Sequence, residues 1–215
     1  MKTQKEIAKI FELLEPDYNT DIDTELWYEN NYQLLVAIML SAQATDKGVN
    51  KATDKLFKVL KTPKDALKLG EKKVNEYIKT INYHNTKAKH IIELSKKLVD
   101  EFDGKVPNKR EDLIKLAGVG RKTANLVLSI AFKQNEIAID THCFRVCNRI
   151  GLTKAKDVLQ SELQLKKTIP ISKQRLVNQL FVQFGRDICS AKNPKCERCK
   201  LKKYCSFYKL KSKLK

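Results

Sequence analysis

The segment Leu116-Ala117-Gly118-Val119-Gly120-Arg121-Lys122-Thr123-Ala124-Asn125 combines an anion-binding turn with a reactive amine. An apolar helical run ends at two glycines one residue apart, and a new helix opens at once with a basic pair. Gly118 and Gly120 can take backbone angles closed to other residues and let a second backbone approach closely. The amides that open the next helix are then free for an anion, which the helix dipole favours. A nucleic-acid phosphate is the anion that suits a strongly basic chain, and Gly118, Val119, Gly120 and Arg121 are the residues placed to meet it. Lys122 stands in the first turn of that helix, where a positive charge is least stable. An amine attacks carbon only when neutral, so a helix N-terminus with Arg121 beside it favours the reactive form.

A second chemical cluster lies near the C-terminus. Cys189, Cys196, Cys199 and Cys205 fall within 17 residues, spaced C-x6-C-x2-C-x5-C. Four thiolates that close together in a reducing compartment point to a metal site. Structural zinc usually draws on two short cysteine or histidine pairs, and only one C-x2-C is present. A cubane iron–sulfur cluster takes four cysteines from one compact loop. Lys192, Lys195, Arg198 and Lys200 lie among these cysteines, and a pinned loop would hold such cations against a phosphate backbone. Cys143 and Cys147 form an i, i+4 pair, which reads as two small buried side chains on an apolar helical stripe.

Composition bounds what these groups can serve. The chain has 215 residues, 42% hydrophobic and 32% charged, enough for one large core or two small ones. Five prolines and seven glycines suit a mostly helical protein with short connections. A formal charge of +18 points to a polyanionic partner; lysine-rich solubility and membrane-surface binding are the alternatives. No basic amphipathic segment stands apart from the folded pattern, which favours nucleic acid over a membrane surface. No stretch is long and apolar enough to span a bilayer. The first ten residues lack the apolar core of a signal peptide, and Glu6 argues against a transit peptide, so a cytoplasmic protein is expected.

Apolar residues recur at helical spacing through most of the chain. Ile7, Ile10, Phe11 and Leu14 predict a first amphipathic helix, closed by Pro16. Leu34, Leu35, Ile38 and Met39 predict a buried one, and Val49, Ala52, Leu56, Val59 and Leu60 another. Thr62-Pro63 starts a short helix that Gly70 ends. Val74, Tyr77, Ile78 and Ile81 follow, then a long helix through Ala88, Ile91, Leu94, Leu98 and Phe102. Asn108 and Glu111 form a capping pair before Leu113, Ile114 and Leu116. Leu126, Val127, Ile130 and Ala131 mark the helix after the hairpin, and Asp140 caps a helix running to Gly151. Helices are expected over 157–168 and 172–188, and a solvated, frayed tail after Tyr208.

Together these residues resemble the endonuclease III family of DNA-repair glycosylases, in the helix-hairpin-helix superfamily. The resemblance is carried by Leu40-Ser41-Ala42-Gln43-Ala44-Thr45-Asp46, by the GVGRKTAN hairpin with Asp140-Thr141-His142, and by the cysteine spacing. It covers about residues 31 to 205. It implies an all-α fold: a six-helix barrel domain with the helix-hairpin-helix over 24–134, and a helical iron–sulfur domain from 1–23 and 135–215. It implies a bacterial base-excision enzyme, cytoplasmic and nucleoid-associated, that removes oxidised pyrimidines from double-stranded DNA and then cuts the backbone at the abasic site. In that reading Lys122 is the nucleophile and Asp140 the catalytic carboxylate, and Gln43 fills the gap left by the flipped base. The four cysteines would ligate a [4Fe-4S] cluster. Nothing in the sequence points to an oligomer.

Several positions depart from the family pattern. Ala117 replaces a proline before the hairpin, and Cys143 an aliphatic residue. Asn82 and Tyr83 stand where glycine and a wedge leucine are common, leaving Tyr83 to wedge by stacking. Asp140 alone reads equally as a plain helix cap, Gln43 as a loop amide, and His142 as a helix-terminal hydrogen-bonder. The chain does allow Asp140 to return to the Lys122 helix: residues 121–132 rise ~18 Å as helix, and 133–139 span up to ~24 Å. Two other readings compete: a monofunctional mismatch or adenine glycosylase of the same superfamily, and a non-catalytic iron–sulfur DNA-binding protein. The first often lacks lysine at the Lys122 position, and its adenine type carries a further C-terminal domain. The second would need neither Lys122 nor Asp140.

Overall fold

The computed structural model describes residues 2–21 and 24–213, and among these every regular element is helical. No described helix is long and apolar enough to cross a membrane. The helices are α1 Gln4–Leu14, α2 Asn31–Leu40, α3 Asp46–Val59, α4 Pro63–Ile78, α5 His84–Phe102, α6 Arg110–Leu113 and α7 Arg121–Ala131. They continue with α8 Thr141–Ile150, α9 Val158–Thr168, α10 Ile171–Gln174, α11 Leu176–Asp187 and α12 Ser206–Lys213. The chain divides into two compact units, Asp23–Gln134 and the pair of segments Met1–Ile22 and Asn135–Lys215.

In the unit 23–134, α2 is the centre. Residues Tyr32 to Leu40 are all buried, as an all-round apolar helix must be. Its start is tied down by polar groups: Asn30 accepts from the Gln33 amide at 3.0 Å. The fully buried Gln33 side chain donates to the carbonyls of Phe57 and Leu60 and accepts from the Glu29 amide at 2.7 Å. The end of α3 is thereby fastened to the start of α2. Around α2 the buried faces are Val49, Ala52 and Leu56 on α3, Val74 and Ile78 on α4, and Ala88, Ile91, Leu94 and Leu98 on α5. Thr62 and Asp65 form a reciprocal cap at α4, whose two halves meet at Gly70 with φ 74°.

The hairpin between α6 and α7 rests on two other helices. Gly118 has φ 74°, and a Cβ there would lie 2.8 Å from His90 Nδ1 and 3.1 Å from Met39 Cγ. Leu116 and Val119 are buried, and the Val119 amide closes the turn on the Leu116 carbonyl at 3.1 Å. The expected Asn108–Glu111 cap does not form. Helix α6 is only Arg110–Leu113, follows Lys109 with no side-chain cap, and the Asn108 carbonyl accepts from Gln134 Nε2 at 2.8 Å. The helix starts one residue later than that motif expects.

The other unit is built on α8 and α11. Cys143, Val146, Cys147 and Ile150 form one fully buried stripe. Gly185 lets α11 come close, since a Cβ there would meet Val146, Arg145 and His142 at 3.1–3.2 Å. Helix α1 adds Ile7, Ile10, Phe11 and Leu14, with the Phe11 and Phe181 rings 5.8 Å apart. The helix expected over 172–188 has its hydrogen-bond ladder interrupted at Arg175, which keeps helical angles. The tail is helical to Lys213 where a frayed segment was expected, with Lys209 to Ser212 exposed; 214 and 215 lie outside the described residues.

Three substitutions probe these contacts. Gln33→Leu fills the same space but leaves two carbonyls and an amide without partners, and should cost about 3 kcal/mol in urea unfolding. Gly118→Ala should cost about 1–3 kcal/mol through its left-handed backbone and the His90 contact. Gly120→Ala, at φ −87° with open space around its Cβ position, should cost under about 1 kcal/mol.

Candidate active site

Helix α7 begins at Gly120, which has no side chain to cap it. The Ala124 amide returns to the helix at Gly120 O, 2.9 Å away, and no side chain caps the amides before it. Arg121 and Lys122 are exposed in that first turn. A helix start of this kind attracts phosphate, and the same dipole disfavours a nearby ammonium. Below it Ala124, Asn125, Val127 and Leu128 are buried, so the lysine stands on a rigid base.

Gln43 and Tyr83 are the other two candidates in this unit. Both are exposed and both have left-handed backbones, at φ 55° and 59°. Gln43 lies in the turn between α2 and α3; Tyr83 immediately precedes α5. Sequence reasoning missed the residues that join these turns. Asn82 Nδ2 donates to the Gln43 carbonyl at 3.1 Å. Lys87, only 6% exposed, donates to the carbonyls of Leu40 at 2.9 Å and Ala42 at 2.7 Å. Burial pushes its pKa below the usual lysine range. Nothing in the sequence separates Lys87 from the many surface lysines.

In the other unit Asp140 is the N-cap of α8, and its Oδ1 accepts from the Cys143 amide at 2.8 Å. Oδ2 has no partner among the described residues, so one oxygen orients the carboxylate while the other stays available. His142 Nδ1 lies 3.2 Å from Arg145 Nη2, a local contact near the helix start. Cys143 and Cys147 are fully buried, and burial raises the Cys147 thiol pKa far above its ordinary value.

The cysteine-rich segment folds as two 3-10 turns, Cys196–Arg198 and Lys202–Tyr204. All four cysteines line one pocket, walled also by Ile150, Phe184, Ile188, Leu201 and Phe207. Burial pushes the Cys199 thiol up to about 11, and the Leu201 amide directed at its sulfur opposes that shift. Burial likewise raises Cys205, whose sulfur receives the amides of Tyr208 and Phe207. Among the described residues, no three Cys, His, Asp or Glu side chains gather closely enough to hold a single metal ion.

Two arginines from α8, also missed in the sequence, anchor this loop. Arg145 donates to the carbonyls of Cys189 at 3.0 Å and Gly185 at 2.9 Å. Arg149 donates to Ser190 and Ala191, each at 2.7 Å, sits 3.7 Å from Cys189 Sγ, and stacks over Phe207 at 4.8 Å. Three of the loop's cations are engaged by acids, Lys195 with Asp187 at 3.5 Å, Lys200 with Asp17 at 2.6 Å and Lys202 with Glu197 at 3.9 Å. Lys192 and Arg198 are exposed.

Comparison with known proteins places these features in a family. Residues 36–170 match the family described as HhH-GPD superfamily base excision DNA repair protein. Endonuclease III of Haemophilus influenzae is 47% identical over 191 residues, covering 89% of this chain and 90% of its own. Endonuclease III of Escherichia coli is 45% identical over 184 residues, covering 86% and 87%. The structure of a non-covalent endonuclease III–DNA complex superposes with a TM-score of 0.88 at 37% identity, covering 99% of this chain and 100% of that one. That of a trapped endonuclease III–DNA covalent intermediate gives 0.85 at 38%, with the same coverage. The chain belongs to the endonuclease III family, DNA glycosylases with AP lyase activity within the HhH-GPD superfamily of base-excision repair proteins.

Proposed function

We propose that this enzyme acts as a monomer on double-stranded DNA carrying an oxidised pyrimidine or an abasic site, with Lys122 as nucleophile and Asp140 as catalytic carboxylate. The observation that carries the reading is an exposed lysine in the first turn of a helix that no side chain caps, behind a turn only glycine can make. Phosphate is met by the amides around Gly118, Val119 and Gly120 and by Arg121. Most lysines on so basic a surface serve as solvated charges; Lys122 is set apart by its position.

The chemistry follows from an amine meeting deoxyribose. Neutral Lys122 Nζ bonds to C1′ as the glycosidic bond breaks, and the base departs with that electron pair and takes up a proton. The sugar ring opens to leave an iminium joining Nζ and C1′. The iminium acidifies C2′; loss of a C2′ proton expels the 3′ oxygen and cuts the strand on the 3′ side of the lesion. Water then hydrolyses the imine and restores the amine. Asp140, held through Oδ1, uses its other oxygen to support positive charge on the sugar and to relay protons. C1′ is open to attack only when the nucleotide is flipped out of the stack. Gln43 occupies the gap and Tyr83 wedges beside it by stacking.

The residues of the cysteine loop fit a [4Fe-4S] cluster better than a single zinc ion. The sulfurs of one zinc site must converge on a point, whereas these four surround a cavity. A cubane takes one thiolate per iron, and amides aimed at the sulfurs suit bound thiolates. Cys189, Cys196, Cys199 and Cys205 would hold it, and its contribution is to fix the loop that carries Lys192 and Arg198.

Borohydride should trap a covalent protein–DNA adduct on abasic duplex DNA, and Lys122→Gln should abolish it; an adduct formed by that variant would refute the assignment. Cys199→Ala should lose most of its protein-bound iron and visible absorbance while keeping the helical circular dichroism of the unit 23–134. Full iron retention would remove Cys199 from the ligand set.

A further inference from the structure

The Gln43 and Tyr83 turns are far apart in sequence but tied through their backbones. Both residues hold left-handed angles, which an L side chain keeps only where its surroundings impose them. The imposing contacts can be named. Asn82 donates to the carbonyl of Gln43 itself, and Lys87 to those of Leu40 and Ala42 just before it. The Lys87 amide in turn bonds the Tyr83 carbonyl at 3.0 Å. The turn is also anchored to α4, where Asn75 lies 2.6 Å from His84 Nδ1 and donates to Asn85 Oδ1 at 2.7 Å. Asn82 Nδ2 and Lys87 Nζ thus spend donors on protein carbonyls within one structural unit.

We propose that Asn82, with Lys87 beneath it, is a positioning residue that joins the two turns into one rigid two-pronged insert. The insert fixes the spacing at which Gln43 and Tyr83 enter DNA together. The proposal rests on the reading of those two side chains as the groups that enter the stack. Its physical advantage is preorganisation: side chains already held in place lose less freedom on binding, leaving more binding energy to open the base step. A glycine at position 82 would have no side-chain amide, so this clasp depends on the asparagine found here.

The test uses the full-length protein and one abasic site, presented in a duplex and in a single strand. Only the duplex requires insertion, so the ratio of the two cleavage rates reports it. Asn82 is exposed, so Asn82→Gly and Asn82→Asp should both fold; the second keeps the side-chain size and removes the donor. Both should lower the ratio about tenfold, as should Gln43→Ala, and Asn82→Gly should add nothing in the Gln43→Ala background. A wild-type ratio in both Asn82 variants overturns the proposal, as does a double variant whose loss is the product of the two single losses. A wild-type ratio in Gln43→Ala itself removes the insertion reading, and the clasp falls with it.

Discussion

At Gly118 the hairpin backbone approaches α2 and α5 so closely that a Cβ would meet Met39 at 3.1 Å and His90 at 2.8 Å. With its φ of 74°, the turn in this place requires glycine. Its position decides where Val119 is buried, where Gly120 ends the turn, and therefore where α7 begins. The uncapped helix start and the lysine in its first turn are consequences of that seat. An anion site made of backbone amides is only as well placed as the backbone carrying it.

Helix α8 has the same organising role in the second unit. Its first residue follows the capping carboxylate of Asp140, and its last turns supply Arg145 and Arg149 to the cysteine loop. Its buried stripe of Cys143, Val146, Cys147 and Ile150 fixes the rotation of the helix, so both polar ends are aimed by packing. Ten residues of helix, about 15 Å, thus set the carboxylate and the loop in one rigid frame. The two buried thiols of Cys143 and Cys147 are part of that packing, whereas the other four cysteines line the cavity.

Much of this was legible in the residues because it depends on neighbours in sequence. The Asp140 cap, the Gly70 break, the Thr62-Pro63 start and the buried run of α2 each follow from local chemistry. What was not legible depends on partners far along the chain. Gly118 announced a special turn, but His90 as the reason for it did not. The Asn108–Glu111 motif is locally sound, yet the helix follows Lys109 without a side-chain cap. Asn82 looked like a departure from a glycine, and only the fold shows the Gln43 carbonyl it reaches. The tail offered alternating lysines and no buried stripe, yet Ser206 begins a helix and bonds to the Ile150 carbonyl at 3.1 Å.

The discontinuity of the second unit shapes how the chain assembles during synthesis. Residues 23–134 are contiguous and can close their core as soon as they leave the ribosome. The apolar face of α1 emerges first of all, yet its partners Phe181 and Leu180 emerge more than a hundred residues later. Until then Ile7, Ile10, Phe11 and Leu14 have no core of their own to join.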